Sequence, residues 1–179
     1  MKAVSRPALP EDFVWPALAR GTMPEVGRYA PSETPLAVRF ADVDMMHVVH
    51  HSAYLHWFEQ IRFKFMHDVL GVRFAQLVEA GVALPLTACE VQYRRAFVFG
   101  DRPIGYARAQ VYRQAQVTLH YAIYKGADGE LAATGTSTHC FVGTGHKLLL
   151  NWPGFFADAM STAHALHPAC LIGRGEVQP

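Results

Sequence analysis

Residues 52–70, SAYLHWFEQIRFKFMHDVL, constrain the fold more than any other stretch of the chain. Tyr54, Phe58, Ile61, Phe65 and Val69 recur at three- and four-residue spacing, and Leu55, Trp57, Met66 and Leu70 widen the stripe. Ser52 is placed to cap the start and Gly71 to stop the end. A helix this apolar needs cover nearly all round. The remaining chain offers strands to supply it. Residues 103–113 alternate, with Gly105, Ala107, Ala109 and Val111 opposite Tyr106, Arg108, Gln110 and Tyr112. Residues 115–125 alternate more clearly, Val117, Leu119, Tyr121 and Ile123 facing away from Gln116, Thr118, His120 and Tyr124.

Shorter signals complete the order. Residues 35–41 read as a strand ending at the aspartates, and 73–80 as a second short helix closed by Gly81. Residues 83–95 have strand propensity, Asp128-Gly129 marks a hairpin turn, and 130–143 is a strand rich in small residues that lets a helix approach closely. Residues 153–166 read as a terminal helix with Pro153 near its first turn. One apolar helix and strands with one apolar face each pack as an antiparallel sheet curled around a central helix, an α+β fold. Residues 1–33 carry Pro7, Pro10, Pro16, Pro24 and Pro31 and resist both helix and sheet. They form a Pro-rich arm, with Phe13 and Trp15 marking it as one that docks. The domain proper is 34–150, followed by a C-terminal helix and tail over 151–179.

Charge and cysteines exclude several classes. Sixteen basic residues against fifteen acidic give a net charge of +1, with none of the basic excess of a nucleic-acid binder. Cys89, Cys140 and Cys170 make no disulfide framework and read as free thiols. No apolar run is long enough for a membrane span, and the first residues lack the apolar core of a signal peptide. A cytoplasmic protein is expected.

The chemistry collects at ADVDMMHVVHHSAYLHWFE, residues 41–59. Asp44 precedes the N-terminus of the buried helix, where unpaired backbone N–H groups stabilise anions and developing oxyanions. A carboxylate beside such donors suits hydrolysis of an acyl compound, as base or nucleophile. The structural alternative is an aspartate that merely caps the helix. His47, His50 and His56 are candidate ligands, since the 47/50/51 spacing near Asp44 can converge on a metal, but no second cluster completes a shell, and no metal is expected.

At these residues the chain resembles hot-dog-fold acyl-CoA thioesterases of the 4-hydroxybenzoyl-CoA thioesterase type. Asp42, Asp44, Val49, Tyr54, Phe58 and Glu59 fall in register with the family pattern, and Gly100-Asp101 resembles its second landmark. The resemblance covers residues 35–145. It implies a five-stranded antiparallel sheet wrapped around a long central helix, with Asp44 as nucleophile or general base and a backbone N–H at His51 polarising the carbonyl. It also implies a homodimer or tetramer acting on an acyl-CoA or acyl-carrier-protein thioester, without a cofactor other than the coenzyme A of the substrate. In one branch of the family a histidine at this position assists catalysis, which implies a part for the His51 ring, and Asp42 is expected to support the turn. The chain departs from the pattern at His47, where the family has glycine, at Met45-Met46, and at Ala53, where asparagine is common.

His47, His50, Tyr54, Glu59, Arg94 and Arg95 are the expected substrate-binding residues. Arg94, Arg95, Arg102, Arg108 and Arg113 either meet coenzyme A phosphates or an acidic carrier protein, or form an ordinary solvated strand face. Glu59 is either a second carboxylate of the site or a buried acid bonded to sheet backbone. Two rival functions stand beside the thioesterase: a hot-dog hydratase or dehydratase, and a non-catalytic acyl-CoA or acyl-carrier binding module.

Overall fold

The computed structural model describes residues 26–113, 116–126 and 129–172. Most of the Pro-rich arm, the Asp128 half of the hairpin turn, the last seven residues and the Arg113 side chain lie outside the described residues. Three helices and six strands follow in the order β1 (Thr34–Pro35), α1 (Ala53–Asp68), α2 (Phe74–Glu79), β2 (Leu86–Tyr93), β3 (Ile104–Arg113), β4 (Gln116–Tyr124), β5 (Leu131–Cys140), α3 (Gly154–Leu166) and β6 (Leu171–Ile172). The antiparallel path runs β1-β3-β4-β5-β2. The expected five-stranded sheet is present, and β6 adds a short parallel pairing to β3 that the sequence did not announce.

Helix α1 lies against one face of this sheet. Trp57, Phe58, Ile61, Phe65 and Met66 are buried and meet Ala107, Leu119, Tyr121 and Ile123 in one core. Each such large side chain contributes about 1.5–3 kcal/mol by leaving water. Small residues on the strands set the approach. A Cβ on Gly135 would collide with the Glu90 carbonyl oxygen and the Phe58 ring, and one on Gly105 with the end of Ile61. Phe58 then stacks on Tyr121 with centroids 4.2 Å apart.

Four expectations need correction. First, the strand at 35–41 pairs only at Thr34 and Pro35; Leu36 N–H still reaches the Pro103 carbonyl at 2.9 Å, but Pro103 has no N–H to return. The chain then tightens into a 3-10 turn at Phe40–Asp42. Second, Ser52 holds the N-cap position of α1, but its backbone is already helical and its side chain makes no cap bond. Third, α1 is not covered all round, since the sheet screens one side only and leaves Leu55 46% and Phe63 37% exposed. Fourth, the polar face of β3 and β4 is not solvated. Tyr106, Gln110, Thr118 and His120 are buried there. Residues 26–33 contribute to that cover: Val26 packs on Tyr106 and Ala122, Glu33 accepts the Tyr106 hydroxyl at 2.9 Å, and the Tyr29 ring faces the Arg108 guanidinium.

Candidate active site

The segment between the 3-10 turn and α1 is a tight hairpin. Val43 bridges Val49, Asp44 N–H donates to the Val48 carbonyl at 2.9 Å, and His47 N–H donates to the Asp44 carbonyl at 3.0 Å. His47 takes φ 61°, the left-handed conformation that a glycine adopts without cost. The histidine that replaces the family glycine therefore keeps the glycine backbone. Asp44 closes the turn with its side chain, Oδ1 accepting the Met46 N–H at 2.8 Å. Its Oδ2 has no donor among the described residues. Below the turn, Asp42 is buried and gripped by Arg39 through Nε, Nη2 and the backbone N–H. Those hydrogen bonds hold the Asp42 carboxyl below its ordinary range. Asp42 thus supports the turn, as the resemblance implied.

The return strand feeds directly into α1. His50 N–H donates to the Asp42 carbonyl at 2.7 Å, and the His50 carbonyl accepts Ala53 N–H at 3.0 Å. The His50 ring does the capping that Ser52 was expected to do: its Nδ1 accepts the Ser52 hydroxyl at 2.8 Å and faces the Ser52 N–H at 3.3 Å. Tyr54 and Leu55 N–H groups donate to the carbonyls of His51 and Ser52. Between residues 50 and 55 every amide has an acceptor except that of His51, which has none among the described residues. The donor forecast for a developing oxyanion is the one left unspent. The His51 ring is exposed and rests on His50, centroids 4.0 Å apart.

The other expected residues separate. Tyr54 is a core side chain, packed on Trp57, Tyr93 and Phe97, with burial pushing its hydroxyl up to about 12. Arg94 and Arg95 lie just past the end of β2, Arg95 paired with Glu130. Arg108 instead reaches the Leu171 carbonyl from the buried outer face. Glu59 is 56% exposed, which overturns the buried, sheet-bonded role. Among the described residues, no three His, Cys, Asp or Glu side chains gather as a metal-holding group.

Glu59 instead lines a groove of about 210 Å³ between α1 and the β2–β5 edge. Its floor is a relay that sequence reasoning missed. His139 Nδ1–H donates to the Leu84 carbonyl at 3.2 Å, so Nε2 accepts the Ser137 hydroxyl at 2.9 Å. The Ser137 oxygen in turn accepts Tyr121 O–H at 2.6 Å. Burial, reinforced by the nearby charge of Arg62, lowers the His139 ring to about 4 and keeps it neutral. The available signal was the i, i+2 spacing of Ser137 and His139 on one strand face.

Residues 38–160 match the Thioesterase-like superfamily. A putative acyl-CoA thioesterase of Bacillus subtilis, YneP, is 30% identical over 111 residues, covering 62% of this chain and 79% of that protein. Among solved structures, the hypothetical protein TT1821 of Thermus thermophilus superposes with a TM-score of 0.67 at 26% identity, over 74% of this chain and 98% of the other. The DHNA-CoA thioesterase of Staphylococcus aureus superposes with a TM-score of 0.69 at 24% identity, over 78% and 97%. This second likeness bears on the fold alone.

Proposed function

This chain belongs to the thioesterase-like superfamily, and on that footing we propose that it hydrolyses an acyl-CoA or acyl-carrier thioester to a free acid and a thiol. The observation that carries the reading is the unspent His51 amide at the entry to α1, next to a hairpin whose Asp44 carboxylate keeps one oxygen free. The thioester carbonyl accepts the His51 N–H, and the helix dipole favours the charge that grows on its oxygen. Asp44 attacks the carbonyl carbon to give a mixed anhydride that water then hydrolyses, or it takes a proton from water that attacks directly. The thiolate leaves and is protonated by solvent. The acyl-CoA thioesterase name of the Bacillus relative and the 4-hydroxybenzoyl-CoA thioesterase pattern at residues 42–59 support the same choice.

The groove is incomplete in one chain. Among the described residues strand β2 is an unpaired edge, and Leu55, Leu86 and Tyr93 around it are exposed. Two such edges pairing in a homodimer would enclose the groove and protect the edge from indiscriminate pairing. Sedimentation of the purified protein as a monomer would remove this part of the reading.

The hydratase alternative calls for a histidine with a carboxylate partner. Among the described residues that contact is His67–Asp68 at the far end of α1, exposed and remote from the hairpin. Incubation with a panel of acyl-CoAs, read by thiol capture, tests the proposal. Release of coenzyme A is expected. Binding without release marks a carrier module, and hydration of a 2-enoyl-CoA with its thioester intact marks a hydratase.

A further inference from the structure

Arg62, midway along α1, is a half-buried cation that makes no hydrogen bond among the described residues. Its side chain is 12% exposed, and its nearest acid is Glu59 Oε1 at 3.5 Å, too long for a hydrogen bond. Its guanidinium lies over the Phe63 ring, 4.5 Å from the centroid. A guanidinium offers five N–H donors, and the Glu59 ion pair engages only one edge of it, leaving donors open to the groove. Among the described residues no hydrogen-bond acceptor fills that fork, and a ligand in the groove can.

The surroundings say what kind. Arg62 shares the groove wall with Tyr121, Ser137 and His139, whose donors are all spent on one another and on the Leu84 carbonyl. The apolar part of the lining is Leu55, Phe58 and Leu86. A volume of about 210 Å³ falls below the roughly 300–1,000 Å³ of sites that hold drug-sized ligands. Within one chain it has room for a short acyl group. A planar fork of donors on the wall of a short, partly apolar groove matches a carboxylate, which it meets with two parallel bonds.

We propose that Arg62 holds a carboxylate at the distal end of the acyl group, so that the preferred substrates are monothioesters of short dicarboxylic acids. The inference rests on the thioesterase reading and adds the substrate class. Glu59 competes for the same guanidinium. It is the more exposed partner, 56% against 12%, and moves into solvent when the substrate carboxylate arrives.

The test is calorimetric binding of adipoyl-CoA, hexanoyl-CoA and free coenzyme A to full-length Asp44→Asn protein, with and without Arg62→Met. Adipoyl-CoA is expected to bind about 10-fold or more tighter than hexanoyl-CoA. Arg62→Met should weaken adipoyl-CoA by about 10–100-fold and leave the other two within about two-fold. Glu59→Gln should widen the adipoyl preference. Equal binding of the two acyl-CoAs overturns the proposal. So does an Arg62→Met loss shared by free coenzyme A, which puts the arginine on the phosphates, or a change of oligomeric state with the preference intact. Where Arg62→Met does not fold, Arg62→Lys decides: it keeps the charge, loses the fork, and should cut the preference several-fold. Failure of the wild-type protein to release thiol would remove hydrolysis while leaving the binding preference to report on Arg62.

Discussion

The Tyr93 hydroxyl donates to the carbonyl oxygen of His51 at 3.4 Å, tying the end of β2 to the residue whose amide is left free. The contact is long and exposed, and its ring half is secured independently, edge-on against Tyr54. Tyr93→Phe removes one weak neutral hydrogen bond worth about 0.5–1 kcal/mol. A two- to five-fold fall in kcat is expected, roughly, with KM unchanged, because the bond fixes the oxyanion donor rather than the acyl group.

The hairpin gives a stability prediction. His47 sits at φ 61°. His47→Gly relieves the left-handed strain but adds unfolded-state freedom, so urea denaturation should show a change within about 1 kcal/mol. His47→Val places a β-branched side chain in that conformation and should cost about 1–3 kcal/mol. Equal stability of the two variants would mean the turn is not left-handed at this position.

The sheet–helix contact separates two glycines. Gly135→Ala meets a strand carbonyl as well as Phe58, and a backbone carbonyl does not yield. A loss of about 2–3 kcal/mol is expected by thermal or urea unfolding. Gly105→Ala meets only the flexible end of Ile61 and the edge of Leu36. Combining it with Ile61→Val should recover part of its cost, giving a non-additive pair.

Two buried histidines set an acid limit. Burial lowers His120 and His139 to about 4, Arg108 and Arg62 adding to it respectively. An unfolded histidine titrates near 6.5. Between about pH 6.5 and 4 the unfolded chain therefore binds more protons, and stability falls as pH falls through that window. Each ring accounts for about 3 kcal/mol at most. Urea midpoints should be flat above pH 7 and decline below 6.5, and His139→Gln should lessen the slope. A midpoint that rises on acidification would contradict the assignment.

How much of this the chain announced follows from the range of the forces involved. The helix at 52–70, the alternation of β3 and β4, and the small residues of β5 are local patterns, and the structure follows them. The free amide at His51 was reachable because a helix start leaves donors unpaired wherever it occurs. What escaped depends on tertiary neighbours. The capping bond at the start of α1 comes from the His50 ring and not from the Ser52 side chain, because the hairpin turns that ring toward the first turn. The polar face of β3 and β4 is buried by parts of the chain that only the fold brings there. Ser137 and His139 became a relay only when Tyr121, on another strand, was brought beside them.

The most direct measurement is the rate of thiol release from an acyl-CoA that the wild-type protein cleaves, compared with Asp44→Asn at equal fold content by circular dichroism. Loss of Asp44 as base or nucleophile should lower kcat by about 10²–10⁴-fold while acyl-CoA affinity stays within a few-fold. An Asp44→Asn protein that releases thiol at the wild-type rate would contradict the account.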